Sequence, residues 1–186
     1  MIVPDQLPVV LRALESVGLP YLMTGSLASV AWGEPRATYD LDIVIELSPG
    51  DVDHLLKPFA QPEWYVDQAS VLHAIRIGGE FNLIHSTTGT KVDFWIKSSG
   101  GFDDSRFERR RREEIAGVTC WIQSPEDAIL SKLLWIKISP SDRQERDVSG
   151  IIKVQGDLLD RRYLFTWAKR LAVEGLLNEI LEEGSP

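Results

Sequence analysis

The sequence contains a single cysteine, Cys120, among its 186 residues. One thiol excludes an intramolecular disulfide framework and indicates a reducing, cytoplasmic location. No apolar run approaches the roughly 20 residues of a membrane-spanning helix. Residues 1–18 also lack a basic segment followed by a long apolar one, so we expect neither a signal peptide nor a membrane partner.

Positive charge is in the minority, with 20 Lys and Arg against 28 Asp and Glu and a formal net charge of −8. This balance argues against binding of nucleic acid over the whole surface, while a local basic patch would still allow it. Hydrophobic residues make up 44% and charged residues 26% of the chain, as is ordinary for a globular protein. A chain of this length can form one compact domain, or a domain with a small helical appendage.

The spacing of apolar residues predicts a mixed α/β segment followed by helices. Helices are predicted at residues 5–17, 26–32, 49–59, 67–79 and 124–138, with two or three more between 142 and 183. Strands are predicted at residues 20–24, 39–47 and 116–123, and as a pair within 80–97 that a turn at 86–90 joins. The segment 103–115 has the pattern of a basic helix or turn.

These elements predict an α/β (α+β) fold, in which a small mixed sheet flanked by helices is followed by a C-terminal helical bundle. The boundary is placed at Ser124, since this serine can cap a helix whose first turn carries a proline and two acidic residues. Residues 1–123 would form one domain and residues 124–186 a helical region packed on it.

Two aspartates, Asp40 and Asp42, lie one residue apart in the otherwise apolar strand 39–47. Side chains two apart on a strand point to the same face, so the two carboxylates would repel each other. A divalent ion removes that conflict, and Mg²⁺ prefers a few carboxylates together with water and phosphate oxygens. Asp93, in the middle of a second strand, is the candidate for a third ligand.

A turn from strand to helix at Gly25–Ser26 precedes the paired aspartates. The free N–H groups of a helix start, with a glycine that allows close approach, suit a phosphate group, and Ser26 could cap that helix. A phosphate cradle beside metal-binding carboxylates predicts a site for phosphoryl transfer.

The segment "MTGSLASVAWGEPRATYDLDIV" resembles the signature of the polymerase-beta-type nucleotidyltransferase superfamily, and Asp93 matches the third carboxylate of its triad. The segments "RATYDLDIVI", "KVDFWI", "SPEDAILSKLLWIK" and "ERDVSGI" further resemble the AbiEii-like branch of that superfamily. The resemblance runs from about Pro20 to Leu177, although the chain is shorter than typical AbiEii toxins.

The resemblance implies transfer of a nucleoside monophosphate from a nucleoside triphosphate to an acceptor hydroxyl, with release of pyrophosphate. It implies Mg²⁺, with Mn²⁺ as an alternative, bound by Asp40, Asp42 and Asp93. Asp93 would also help to deprotonate the acceptor. The triphosphate would contact the following residues: Gly25, Ser26, Arg36, Thr38 and Lys132, with Asp147 at the family's later acidic position.

Three functions stay open. The chain could modify a tRNA as the toxin of a toxin–antitoxin pair, which implies an antitoxin partner, or a small hydroxylated molecule such as an antibiotic. It could also bind nucleotides without turnover. The arginines 109–112, with Arg106 nearby, would form either a solvated face or a patch that attracts a polyanion such as tRNA.

Single residues also have simpler interpretations. Lys132 could be a surface lysine on an amphipathic helix, and Asp147 could form only a local ion pair with Arg146. Trp95 shares a strand face with Asp93, so we expect it to border the nucleotide. Cys120 alternates with apolar neighbours, which predicts a buried thiol.

Overall fold

A computed structural model describes residues 3–183 of the chain, with the backbone alone at residue 183. Within this range the helices are α1 (Leu7–Val17), α2 (Gly25–Trp32), α3 (Val52–Leu56), α4 (Gln68–Ile77), α5 (Gly101–Glu108), α6 (Pro125–Ile138), α7 (Asp142–Gln155), α8 (Arg161–Arg170) and α9 (Glu174–Glu183). The strands are β1 (Tyr21–Met23), β2 (Leu41–Ile45), β3 (Trp64–Tyr65), β4 (Glu80–His85), β5 (Lys91–Ile96), β6 (Arg111–Ile115) and β7 (Val118–Ile122).

The seven strands form one mixed sheet in the order β3-β4-β5-β2-β1-β7-β6. Strands β2 and β5 are parallel, as are β1 and β7, and the other neighbours are antiparallel. Helices flank this sheet, which confirms the predicted fold class. Helix α2 follows β1 directly, and β2 then pairs with β1 in the antiparallel direction. The turn before α2 therefore lies at the end of β1, next to the start of β2.

The alternation of side chains along the central strands separates a core face from a polar face. Leu41, Ile43 and Ile45 of β2 are fully buried in the main core, where Phe94 of β5 stacks on Phe81 with ring centroids 5.0 Å apart. The intervening positions of β2 and β5 face the other way, because successive residues of a strand point to opposite faces. That second face holds Asp42 and Asp93, two of the predicted carboxylates.

Helix α6 begins as predicted, because the Ser124 hydroxyl accepts a hydrogen bond from the Asp127 N–H at 3.2 Å. The helix is buried on most sides, including Lys132, which is only 5% exposed. Contacts join α6 to both α2 and α7. The helices after Ser124 therefore pack against the helix that follows β1, while the division into two domains at Ser124 stays a prediction.

Several local predictions need correction. Helix α2 begins at Gly25 with Thr24 at the N-cap position, so Ser26 lies inside the first turn and does not cap the helix. Strand β2 spans only Leu41–Ile45, which leaves Asp40 immediately before it. Residues 103–115, predicted as one basic helix or turn, divide between the end of α5 and strand β6.

Two further elements differ from the prediction. The helix predicted at 49–59 is a short 3₁₀ turn, Pro49–Asp51, followed by the five residues of α3. The edge strand β3 was not predicted, because its two residues are too few to show a period. The cysteine prediction is confirmed: Cys120 is fully buried, and burial raises the pKa of its thiol to about 12. Among residues 3–183, no helix combines the length and apolarity that crossing a membrane requires.

Candidate active site

Asp42 and Asp93 are paired neighbours in the parallel strands β2 and β5, on the polar face of the sheet. Burial, and then the negative charge of Asp93, raise the pKa of the Asp42 carboxyl. The positive charge of Lys132 and a hydrogen bond from the Ser26 N–H oppose this rise. The fold therefore brings together two of the three predicted carboxylates. The positive charge near Asp42 is too little to offset its burial and the charge of Asp93.

The turn at Gly25 packs directly against Asp42. Gly25 has φ +59°, and a Cβ at this position would lie 1.9 Å from Asp42 Oδ2. The Thr24 N–H donates to the Asp42 carbonyl at 2.9 Å, and the Ser26 N–H donates to the Asp42 carboxylate. Glycine is required here because a side chain would occupy the position of a carboxylate oxygen and would be strained at positive φ.

Gly25→Ala is expected to destabilise the protein by about 2 kcal/mol, since it combines backbone strain with a displaced carboxylate. Denaturant unfolding monitored by tryptophan fluorescence measures this change. Gly89→Ala is the matched control, because Gly89 also has positive φ (+69°) but a Cβ there would meet no atom within 4 Å. Equal losses in the two variants would show that the contact with Asp42 contributes nothing beyond the strain.

Two predicted residues lie outside this arrangement. The Asp40 side chain is exposed ahead of β2, and Thr38 is buried, with its hydroxyl donating to the Asp40 carbonyl at 3.4 Å. Asp93 forms an ion pair with Lys91, with 2.7 Å between Asp93 Oδ1 and Lys91 Nζ. In the described part of the chain, no three His, Cys, Asp or Glu side chains gather closely enough to hold a metal ion. The role of Asp40 as a third ligand stays a prediction.

A buried network of charges joins four of the other predicted residues. Arg36 donates from Nε and Nη2 to the two carboxylate oxygens of Asp147, at 2.9 and 2.8 Å, and from Nη2 to Ser26 Oγ at 3.1 Å. Lys132 Nζ lies 2.9 Å from the same Asp147 carboxylate. The partners of Asp147 are therefore Arg36 and Lys132, and the predicted ion pair with Arg146 is wrong.

The pKa values of this network follow from its burial. For Asp147, burial opposes ionisation, but the hydrogen bonds from Arg36 and the charge of Lys132 outweigh it and hold the pKa of the carboxyl below its usual value. Burial lowers the pKa of the Lys132 ammonium, and Asp147 and Asp42 oppose that effect. Lys132 is therefore a buried cation that lies between two carboxylates and not a surface lysine.

A cleft of about 810 Å³ opens over this face of the sheet, between β2, β5, α5 and α6. Gly25, Ser26, Asp42 and Lys132 line its polar end. Two tryptophans line another part of it: Trp95 of β5 and Trp135 of α6 meet edge to face, with centroids 5.8 Å apart. Trp95 thus borders the same cleft as the Gly25–Ser26 turn. Such a combination of apolar walls and a few polar groups is typical of ligand sites.

Gln123 is a cleft residue that the sequence pattern did not indicate. Its Oε1 accepts hydrogen bonds from Thr24 Oγ1 at 2.9 Å and Ser131 Oγ at 3.4 Å, which fixes the orientation of the amide. Its Nε2 is buried and has no hydrogen-bond partner within residues 3–183. A buried donor without a partner costs free energy, which makes this amide of the cleft a candidate to donate to a ligand. Its only sequence signal is its position between a strand and the Ser124 cap.

Each arginine of the run 109–112, and Arg106 nearby, contacts another group of the protein, so the run does not form an open basic patch. The contacts are Arg106 with Asp103 at 2.7 Å, Arg109 with Glu126 at 3.1 Å, Arg110 with the Phe107 carbonyl at 2.7 Å, Arg111 over the Trp32 ring at 5.3 Å and Arg112 with Glu15 at 3.0 Å. These contacts weaken the prediction that the run attracts tRNA.

No family model and no curated protein matches the chain. Solved structures do. The solution structure of the antibiotic-resistance factor ANT(2'')-Ia aligns with a TM-score of 0.52, at 12% identity over 95% of this chain and 91% of its own. The crystal structure of ANT(2'')-Ia in complex with adenylyl-2''-tobramycin aligns with a TM-score of 0.54, at 12% identity over 96% of each chain. The chain has the nucleotidyltransferase fold.

A third structure supports the same fold: an antigenic nucleotidyltransferase-like protein from Paracoccidioides brasiliensis aligns at 18% identity over 94% of this chain and 90% of its own, with a TM-score of 0.53. These similarities support the nucleotidyltransferase fold that the superfamily resemblance implied. They do not reach the AbiEii-like branch, which stays a prediction from the sequence.

Proposed function

We propose that the protein is a Mg²⁺-dependent nucleotidyltransferase of the polymerase-beta type, which transfers a nucleoside monophosphate from a nucleoside triphosphate to an acceptor hydroxyl. The observation that carries this proposal is the pairing of Asp42 with Asp93 beside a helix start at Gly25–Ser26. A phosphate cradle and a pair of neighbouring carboxylates, of which Asp42 lines the cleft, are the two parts that phosphoryl transfer needs.

The carboxylates fit a hard divalent cation. The pKa of Asp42 is raised by burial and by the charge of Asp93, and a cation between the two carboxylates would offset both effects. Mg²⁺ suits such a site because it is bound by one or two carboxylates together with substrate phosphates; Mn²⁺ is the alternative. When bound, the ion would stabilise the charge that develops on the transferred phosphoryl group. Asp40 is retained as the third proposed ligand.

The remaining charges of the site act on the triphosphate. Gly25 and Ser26 at the start of α2 line the cleft, and Lys132 supplies a buried positive charge close to Asp42. Arg36 is held against Ser26 by its paired bonds to Asp147, so it can contact a phosphate without further ordering. Thr38 has a structural role, since it is buried against the Asp40 carbonyl.

In the proposed reaction the acceptor oxygen attacks the α-phosphorus. The bond from the α-phosphorus to the bridging oxygen breaks, and pyrophosphate leaves with that electron pair. The Asp93 carboxylate accepts the proton of the acceptor hydroxyl, and its ion pair with Lys91 holds it in place.

Two acceptor classes remain candidates. The AbiEii-like sequence motifs favour tRNA, with the chain as a toxin beside an antitoxin in the cytoplasm. A small hydroxylated molecule is the other candidate, the class to which the tobramycin in the structure of the fold neighbour ANT(2'')-Ia belongs. At 12% identity this likeness carries the fold and not the substrate.

Incubation with each α-labelled nucleoside triphosphate, Mg²⁺ and either total tRNA or a panel of aminoglycosides and lincosamides tests the proposal. We expect label in one acceptor, equimolar pyrophosphate, and loss of both on chelation of the metal or in Asp93→Asn. Nucleotide binding without transfer to any acceptor would leave a binding protein instead of an enzyme.

Gln123→Glu is expected to raise the KM for the nucleotide about tenfold, which corresponds to one lost hydrogen bond. The substitution keeps an oxygen for Thr24 and Ser131. It replaces the free donor by an acceptor, and the negative charge that it adds repels the triphosphate and so raises the KM in the same direction. Gln68→Glu on α4 is the control, because the Gln68 amide contacts Asp53 outside the cleft. Steady-state kinetics of pyrophosphate release measure both variants. An unchanged KM in Gln123→Glu would remove Gln123 from the nucleotide site.

A further inference from the structure

A second pocket, of about 490 Å³, lies on the other side of the Arg36–Asp147 pair from the cleft. Its walls are the loop that follows α2 and one face of α7. Arg36 and Asp147 line this pocket, while Arg36 also contacts Ser26 of the phosphate-cradle turn. The charge network of the candidate active site therefore forms one wall of this pocket.

Two arginines give this pocket an excess of positive charge. Arg143 and Arg146 are exposed, line the pocket and lie three residues apart on α7, so they share one face of the helix. Neither forms an ion pair with any residue in the range 3–183. The acidic residues of the pocket are already neutralised: Glu34 pairs with Lys153 at 2.7 Å, and Asp147 pairs with two cations.

An aromatic ring completes the pocket. Tyr39 lines it with 69% of its surface exposed, although a large aromatic side chain ordinarily finds cover in a folded protein. Tyr39 also comes immediately before Asp40, next to the metal-binding strand. Arginines that track a phosphate backbone and an exposed ring on which a base stacks are the combination that binds single-stranded nucleic acid.

The walls of the pocket are fixed by close backbone contacts. A Cβ on Gly33 would lie 2.8 Å from the Ser29 carbonyl oxygen and 3.0 Å from the Ile151 nitrogen. A Cβ on Gly150 would lie 3.5 Å from the Glu34 backbone nitrogen. The start of the loop after α2 is therefore held directly against α7, so the two walls of the pocket are joined there.

We propose that this pocket binds a single-stranded segment of a nucleic-acid acceptor, with phosphates on Arg143 and Arg146 and a base on Tyr39. This inference rests on the proposed nucleotidyl transfer, for which the segment would present its terminal hydroxyl to Asp93. It also moves the proposed nucleic-acid contact from the arginine run 109–112, whose side chains are engaged, to α7. A local site of this kind is compatible with a net charge of −8.

Fluorescence anisotropy with a short labelled single-stranded RNA tests the proposal on the full chain. The double variant Arg143→Gln/Arg146→Gln is expected to weaken binding about tenfold. It should also lower the slope of log K against log salt by about 1.4 between about 50 and 200 mM, because each phosphate contact on a single strand contributes about 0.7. Tyr39→Ala is expected to weaken binding at least fivefold through the lost stacking.

Arg161→Gln/Arg162→Gln is the matched control, since it removes two exposed arginines without ion pairs in the described range, on α8 away from the pocket. It should change the affinity less than twofold. Equal effects of the two double variants would overturn the proposal. Calorimetric titration with Mg²⁺ and a nucleoside triphosphate supplies a second arm: if the α7 variant weakens nucleotide binding and leaves RNA binding intact, the pocket holds the triphosphate and the proposal is wrong.

RNA binding requires no turnover, so the two proposals fail separately. RNA affinity that depends on Arg143 and Arg146, without label transfer to any acceptor, would overturn the proposed enzymatic function alone. Label transfer to a small molecule, with RNA affinity that is insensitive to these arginines, would overturn the pocket assignment alone.

Discussion

Asp42→Asn is expected to lower kcat/KM for nucleotidyl transfer about 10³-fold and, in the same protein, to raise the stability of the metal-free form. The loss of activity follows from the position of Asp42, which faces Asp93 across β2 and β5 and accepts the Ser26 N–H of the phosphate-cradle turn. Loss of a ligand to a charge-stabilising metal removes several kcal/mol of transition-state stabilisation, and about 4 kcal/mol corresponds to 10³-fold.

The gain in stability follows from the raised pKa of the Asp42 carboxyl, which is caused first by burial and then by the charge of Asp93. A carboxyl whose pKa is higher in the folded state binds more protons there than in the unfolded state, so its ionisation destabilises the fold. The destabilisation is absent at pH values below the usual carboxyl pKa of 3.8, grows as the pH rises from there to the folded-state pKa, and is fully present above it. Asn mimics the neutral form at every pH.

Thermal unfolding in the presence of a chelator measures this effect across pH. The difference between Asp42→Asn and the wild type should be near zero in acid and should favour the variant at neutral pH. Asp157→Asn is the control for net charge, because Asp157 is exposed and its carboxylate makes no ion pair in residues 3–183. Adding Mg²⁺ and nucleotide should stabilise the wild type only. A variant that is inactive and also less stable at neutral pH would show that Asp42 has a structural role.

The core of the candidate site is predictable from sequence because it depends on local patterns. Alternation along a strand places Asp42 and Asp93 on polar faces, and a glycine between a strand and a helix marks the turn. The pairing of the two strands, and so the register that sets Asp42 against Asp93, is a property of the sheet order. The sequence could propose Asp93 as a partner of Asp42 from the chemistry of a metal site and from the resemblance to a family, but it could not predict the register.

The network around Asp147 could not be derived from sequence. Arg36 and Asp147 are 111 positions apart, and closeness along the chain suggests instead the adjacent Arg146, although adjacent side chains of a helix do not face each other. The periodicity of α6 likewise failed for Lys132, because this helix is buried on most sides and has no solvated face to define a stripe. Gln123 belongs to no sequence motif. It is a candidate only because its Nε2 is buried without a hydrogen-bond partner in the described residues, which the sequence does not show.

The largest expected effect on stability belongs to this network. Asp147→Ala is expected to lower the free energy of unfolding by about 3–5 kcal/mol, because it leaves Lys132 and Arg36 without their shared carboxylate and Lys132 lies where water scarcely reaches. The side chains of Lys132 and Asp147 are only 6% and 7% exposed. For a chain of this length the loss corresponds to a fall in Tm of roughly 10 °C.

Glu34→Ala is the matched control for Asp147→Ala. Glu34 pairs with Lys153 of the same helix α7 at 2.7 Å, a distance similar to the 2.9 Å between Lys132 and Asp147. In contrast to that buried pair, the side chains of Glu34 and Lys153 are 61% and 76% exposed. Exposed pairs contribute about 0–1 kcal/mol because water and salt screen them. Calorimetric unfolding of the two variants therefore compares burial at nearly constant geometry. A similar Tm for both would show that the Asp147 network contributes no more than a surface pair.

The pH dependence provides a second test of the same network. The pKa of Asp147 is held below its usual value, because the bonds from Arg36 and the charge of Lys132 outweigh the effect of burial. The contribution of the Asp147 carboxylate to stability is therefore present at neutral pH and is lost as the pH falls through the folded-state pKa. The difference between wild type and Asp147→Ala should shrink in acid. In the Asp147→Ala background, Lys132→Met should recover part of the lost stability by removing the stranded ammonium, yet leave nucleotidyl transfer abolished. Recovery of stability without recovery of activity would separate the folding role of this network from its role toward the triphosphate.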